Sequence, residues 1–127
     1  VLVSGTAGTG KTSIAASFAH ATCQRGERCL FFAFEESPAQ ICRNMGSIGL
    51  NLQRCVDQGL LRFHASRPTL NGLEMHLVTM HKLIREFRPR AVVLDPITNL
   101  IAVGSVGEVK SMLTRLIDFL QTEQITV

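Results

Sequence analysis

Apolar residues along this chain fall into two patterns that alternate, short unbroken runs and longer stretches with three- and four-residue steps. The short runs are Val1-Leu2-Val3, Cys29 to Phe34 and Ala91 to Leu94, and Leu60 to Ala65, interrupted by Arg62 and His64, is a further strand candidate. Continuous apolar runs of this length predict strands buried on both faces, as parallel sheets require. Between them lie helical stretches with recognisable ends. Ser13 to Arg25 predicts a helix closed by Gly26. Ser37 predicts an N-cap, Pro38 suits the first helical position, and Gln40 completes a capping box for a helix through Ile41, Cys42 and Met45 that stops near Gly46 or Gly49. Asn51 predicts the cap of a second short helix, with Leu52 and Val56 inward and Gly59 at its end. Asn71 opens the clearest helix, in which Leu73, Leu77, Met80, Ile84 and Phe87 share a face until Pro89 stops it. Val109, Leu113, Leu116 and Leu120 mark a last helix beginning near Gly107, and Ile125-Thr126-Val127 has the form of one more strand. Strands alternating with helices predict an α/β fold: a mainly parallel sheet flanked by helices and joined by right-handed crossovers.

The first predicted turn carries chemistry. Gly5-Thr6-Ala7-Gly8-Thr9-Gly10-Lys11-Thr12 has the Gly-x-x-x-x-Gly-Lys-Thr spacing of a Walker A phosphate loop, placed between a strand and a helix as that motif requires. The glycines let the backbone turn through conformations closed to other residues and approach phosphate oxygens closely. Successive N–H groups then face one concavity beneath a helix N-terminus, which carries partial positive charge. The predicted nucleotide-binding stretch is Gly5 to Ser13. Lys11 reaches the β- and γ-phosphates, and the Thr12 hydroxyl is a ligand for the accompanying Mg²⁺.

Phosphoryl transfer asks mainly for positioning and charge compensation, so carboxylates on the same rim are the next candidates. Asp95 ends a four-residue apolar run as a Walker B aspartate does, and is the expected second metal residue beside Thr12. The plainer alternative is a turn-capping aspartate before Pro96. Glu35 and Glu36 end the Cys29 strand and are the expected catalytic pair, one orienting the attacking water or hydroxyl and the other holding a backbone group or its neighbour. Side chains of adjacent strand residues point to opposite faces, so both can aim at one phosphate only if the strand has already ended.

Composition narrows the rest. Of the 127 residues 18% are charged, the net charge is +3, and the arginines are scattered. That balance argues against a nucleic-acid partner. No apolar stretch is long enough to span a bilayer, and no signal peptide is expected before the first run. Cys23, Cys29, Cys42 and Cys55 form no Cys-x-x-Cys pair and predict buried or half-buried thiols, which fits a cytoplasmic location. His20, His64, His76 and His81 show no ligand spacing, and Phe31, Phe32 and Phe34 belong to a core strand. The length suits one domain, residues 1–127, yet is short for a complete nucleotide-hydrolysing unit. A partial domain, cut at both ends and incomplete at its C-terminus, is the expectation.

Taken in order, the Gly5–Thr12 loop, Phe34-Glu35-Glu36-Ser37, Ala39-Gln40, Arg43-Asn44 and the Val92–Asp95 run resemble the KaiC-like family of RecA-superfamily ATPases. The double glutamate followed by Ser-x-Ala-Gln and Arg-Asn carries the resemblance, since the Walker motifs alone say only ATPase. It implies a RecA-like P-loop NTPase sheet, Mg-ATP binding, slow hydrolysis, and ring-shaped, hexameric homo-oligomers with nucleotide between subunits, coupled to conformation or to a signalling protein partner. It also implies that the strand after the last helix lies between the phosphate-loop and Walker B strands. That family is the one of the circadian clock ATPase, in which one copy of this domain transfers phosphate to its own Ser and Thr. Those acceptors lie downstream of the matched residues, so a serine/threonine autokinase activity is an expectation only for a longer chain. Pro96 departs from the small hydroxyl residue usual after the Walker B aspartate. Two further readings stand beside this one: a DNA-dependent recombinase or helicase-type ATPase of the same superfamily, and a non-catalytic nucleotide-binding assembly switch.

Overall fold

Three five-residue strands form a parallel sheet in a computed structural model that describes residues 1–70 and 72–127. They are β1 (Cys29–Ala33), β2 (Leu61–Ala65) and β3 (Ala91–Asp95), in the spatial order β2–β1–β3. β1 is central and wholly buried, as its run of apolar residues dictates. Cys29 faces Leu61 on one side and Ala91 on the other, and Ala33 faces Ala65 and Asp95, so the C-terminal ends of all three strands share one rim.

Five helices connect and cover the strands: α1 (Lys11–Gln24), α2 (Pro38–Gly46), α3 (Leu52–Asp57), α4 (Leu73–Phe87) and α5 (Val106–Thr122). Alternation along β1 divides the core. Phe31 and Ala33 pack with Ala16 and Ala19 of α1, Ile41 and Met45 of α2, and Leu52 and Cys55 of α3. Leu30 and Phe32 point the other way, into Leu77, Met80 and Ile84 of α4 and Met112, Leu116 and Leu120 of α5. The two faces of one strand therefore nucleate two apolar layers.

The end signals explain the element boundaries. Ser37 Oγ accepts from Gln40 N while Gln40 Oε1 accepts from Ser37 N, closing a capping box with Pro38 in the first turn of α2. Asn51 Oδ1 accepts from Arg54 N at the start of α3. Gly26 and Gly59 take positive φ where α1 and α3 turn back toward strands. α4 ends with Arg88 in the left-handed region before Pro89. Its predicted first residue, Asn71, lies outside the described residues. α5 starts one residue before the expected Gly107, because Ser105 and Glu108 form a second capping box.

Two strand expectations need correction. Val1-Leu2-Val3 is exposed and forms no strand; the backbone nitrogen of Val1 donates to Val127 O at 2.8 Å. Apolar β-branched residues hold strand geometry only when a neighbour supplies the ladder, and here one hydrogen bond stands in its place. The neighbour itself is a single parallel bridge, Ala91 to Thr126, with Val92 N donating to Thr126 O at 2.8 Å. Ile125 to Val127 thus lies between β3 and Val1, in the position expected for the strand after the last helix. The second correction concerns β1, which ends at Ala33, leaving Phe34, Glu35 and Glu36 in a bend.

Candidate functional site

The N-terminus of α1 opens directly from the glycine loop. Gly10 occupies the N-cap with φ 89°, makes no side-chain cap, and no acidic residue sits in the first turn. The leading N–H groups of a fourteen-residue helix are therefore uncompensated by any side chain of their own, the condition under which a helix end attracts an anion. Gly8 also has positive φ, at 81°. Gly5 is required for a different reason: a Cβ there would lie 2.7 Å from Thr9 Oγ1, which donates to Thr6 O at 2.7 Å. Lys11 Nζ donates to the carbonyls of Gly5 at 2.7 Å and Thr6 at 2.8 Å, holding its ammonium across the loop.

The loop meets the sheet rim at one contact. Thr12 Oγ1 donates to Asp95 Oδ2 at 2.8 Å, a half-buried bond between residues 83 apart in sequence. A hydroxyl and a carboxylate oxygen side by side are the hard oxygen donors that Mg²⁺ prefers. Among the described residues no three His, Cys, Asp or Glu side chains gather as metal ligands elsewhere.

Glu35 and Glu36 stand beside Asp95 because their strands are neighbours. Ala33 is the register partner of Asp95, and Phe34 N donates to Asp95 O at 2.9 Å. The bend that follows carries Glu35 exposed and Glu36 half-buried. Since the strand has ended, strict alternation no longer separates the two side chains. The Asp95 end of β3 thus adjoins the start of α1 through Thr12 and the bend that carries Glu35 and Glu36 through Phe34. Arg43 is exposed in the last turn of α2.

Sequence reasoning missed Asn99, in the turn after Asp95. A cis Asp95–Pro96 bond leads into a short 3-10 segment, Ile97–Ala102, whose Asn99 Nδ2 donates to Phe34 O at 3.1 Å. An Asn a few residues after Asp-Pro is a turn signal of local kind; nothing in the string connects it to Phe34.

Burial, reinforced by neighbouring thiols, pushes Cys23 and Cys29 up to about 12, and Cys42 is raised by burial and Cys55, which removes the thiolate that cysteine chemistry needs. His76 is buried, with Nε2 at 2.9 Å from Pro68 O. A groove of about 530 Å³ between Pro38, Cys42, Val56 and Phe63, and one of about 550 Å³ between Arg85, Arg88 and Phe119, both lie away from the rim.

A glycine loop feeding an uncapped helix, with a hydroxyl–carboxylate pair at the adjoining strand end, defines an α/β protein of the P-loop nucleotide-binding class. The family is more specific. The model of the KaiC ATPase family matches residues 1–127. The circadian clock protein KaiC2 of Synechocystis sp. is 55% identical over 127 residues, covering 100% of this chain and 22% of that protein. KaiC3 of the same organism is 35% identical over 125 residues, covering 98% of this chain and 25% of the relative. The circadian clock oscillator protein KaiC of Thermosynechococcus vestitus is 36% identical over 126 residues, covering 99% of this chain and 24% of that protein. The chain belongs to the KaiC family of ATPases, and its sheet is a RecA-like one. It spans about a quarter of the length of these relatives.

Proposed function

We propose that residues 1–127 are part of a RecA-like ATPase domain that binds Mg-ATP and hydrolyses it slowly, coupling nucleotide state to the conformation of a homo-oligomeric ring or to a signalling partner. The observation that carries this reading is the 2.8 Å contact from Thr12 to Asp95, made where the glycine loop enters an uncapped helix. The loop amides and the α1 N-terminus receive the triphosphate tail. Lys11 exchanges its two backbone acceptors for charged phosphate oxygens, which form the stronger hydrogen bonds. Thr12 and Asp95 would hold Mg²⁺, which when bound supplies positive charge to the β- and γ-phosphate oxygens. Glu36, half-buried, and Glu35, exposed, are placed to orient the attacking water and take its proton as its oxygen bonds to the γ-phosphorus and the β–γ bridge breaks.

The test uses the full-length protein. Lys11→Ala is expected to abolish ATP binding, whereas Glu36→Gln keeps binding and slows turnover by roughly 100- to 10,000-fold, the usual range for a positioned acid–base group. Binding of ATP to Lys11→Ala as tightly as to the parent would overturn the assignment of the loop. The DNA-dependent alternative predicts that single-stranded DNA raises the turnover rate. Unchanged rates favour the clock-type reading.

A further inference from the structure

Phe34 is 3% exposed and immediately precedes the two glutamates. Both of its backbone polar groups go to the segment that begins at Asp95. Its N–H donates to Asp95 O at 2.9 Å, continuing the β1–β3 ladder by one residue past the end of β1. Its carbonyl accepts from Asn99 Nδ2 at 3.1 Å, a half-buried bond between residues 65 apart. The peptide unit from which Glu35 departs is thus held by a side chain on the 3-10 segment after the metal-binding carboxylate. The ring of Phe34 is also fixed, edge-on to His76 with centroids 6.1 Å apart, so the bend cannot swing about its first residue without breaking this packing.

The geometry points to Asn99 as a positioning residue for hydrolysis: its amide fixes the Phe34–Glu36 bend against the Asp95 strand and so sets the distance between the carboxylates and the γ-phosphate. This rests on the hydrolytic reading above. The side-chain hydrogen bond of Asn99 goes to Phe34 O and not to the loop or Thr12, so its effect passes through a backbone carbonyl. It therefore belongs to turnover and not to nucleotide affinity. A carbonyl this sheltered that loses its donor must find another partner, and the route open to it is movement of the bend toward solvent. Misplacing a catalytic group by a fraction of a side-chain length is enough to slow a positioned reaction on the order of 10- to 100-fold.

The experiment compares full-length parent, Asn99→Asp and Asn99→Ala for ATP affinity, kcat and thermal midpoint, each also built on a Glu35→Gln/Glu36→Gln background. Asp keeps the shape of Asn but offers an acceptor where a donor is needed, so filling space cannot substitute for the bond. The expected result is a 10- to 100-fold fall in kcat with ATP affinity within about threefold of the parent, and almost no further loss on the double-glutamine background. Asn99→Ala carries the same test if Asn99→Asp does not fold. A kcat within twofold of the parent, a loss of affinity matching the loss of kcat, or an undiminished loss on the double-glutamine background would each overturn the positioning proposal while leaving the ATPase reading in place. Parent protein that binds no ATP would bring down both.

Discussion

The imidazole of His81 lies stacked on Phe119, centroids 4.3 Å apart and planes 16° from parallel, and its Nε2 is buried without a hydrogen-bond partner. Burial, and then the positive charges of Arg85 and Arg115, push this group below its ordinary 6.5. His64 is depressed in the same direction, by burial first and then by Arg62 and His76. The folded chain therefore binds a proton at these sites less readily than the unfolded chain does. Their contribution to stability is whole above about pH 6.5 and is lost as the pH falls from there toward the lower folded-state values. His81→Phe keeps a ring against Phe119 and removes both the titration and the orphaned nitrogen. Thermal midpoints taken at about pH 7.5 and about pH 5.5 should then differ less for this variant than for the parent. Equal acid sensitivity in the two proteins would show that His81 titrates as freely in the fold as outside it. The same position shows how far residue-level legibility goes. Spacing along α4 was enough to show that His76 and His81 do not face one ligand; that each is wedged against an aromatic ring follows only from the approach of β1 and α5.

At the scale of elements, the starts of helices were the most legible feature, because a capping box is satisfied within four residues. Ser37 and Gln40 form the predicted box in the structure, and Ser105 with Glu108 forms a second, which starts α5 one residue before the position periodicity gave. Strand ends were less legible. Phe34 is as apolar as Phe32, and only the structure shows that β1 ends at Ala33, opposite Asp95, with one ladder bond beyond it. The box at Ser37 has a consequence beyond α2, since it begins at the residue after Glu36. Ser37→Ala leaves Gln40 N without its side-chain acceptor and frees the bend's downstream end. It should lower stability by about 1 kcal/mol, read as a shift in the urea midpoint at constant slope. Ser105→Ala should cost a similar amount without touching the rim, so a fall in turnover with Ser37→Ala but not Ser105→Ala would separate the bend from general stability. No change in the midpoint for either would mean the boxes are too solvent-exposed to matter.

For the molecule as a whole, the sequence picks out β1, β2 and β3 but not which are neighbours, and it is the order β2–β1–β3 that puts Glu35, Glu36 and Asp95 on one rim. Likewise the apolar character of Val1 to Val3 is plain in the sequence, while strand geometry depends on a ladder that only Val127 begins to supply. The exposed state of the loop leads to the last prediction. Residues 1–10 are all exposed, as is Glu35, and among the described residues Lys11 is the one basic side chain bonded into the loop. A triphosphate tail carries several negative charges, and phosphoryl transfer is fast only where those on the γ-phosphate are neutralised and water is limited. On the proposed ATPase reading, Mg²⁺ and Lys11 supply part of that charge, and further positive charge is expected from a second surface, in the rest of the chain or in another copy. A further copy of the chain satisfies this at every site at once if the copies close into a ring, because each contact is then the same head-to-tail interface. Full-length protein with Mg-ATP should accordingly sediment as a larger species than protein without nucleotide. Lys11→Ala should stay in the smaller form, and Glu36→Gln, which retains its ATP, should remain in the larger one for longer than the parent. A single sedimentation coefficient for all three, with or without nucleotide, would mean that the covering charge comes from within the same chain, and that assembly is not what the nucleotide controls.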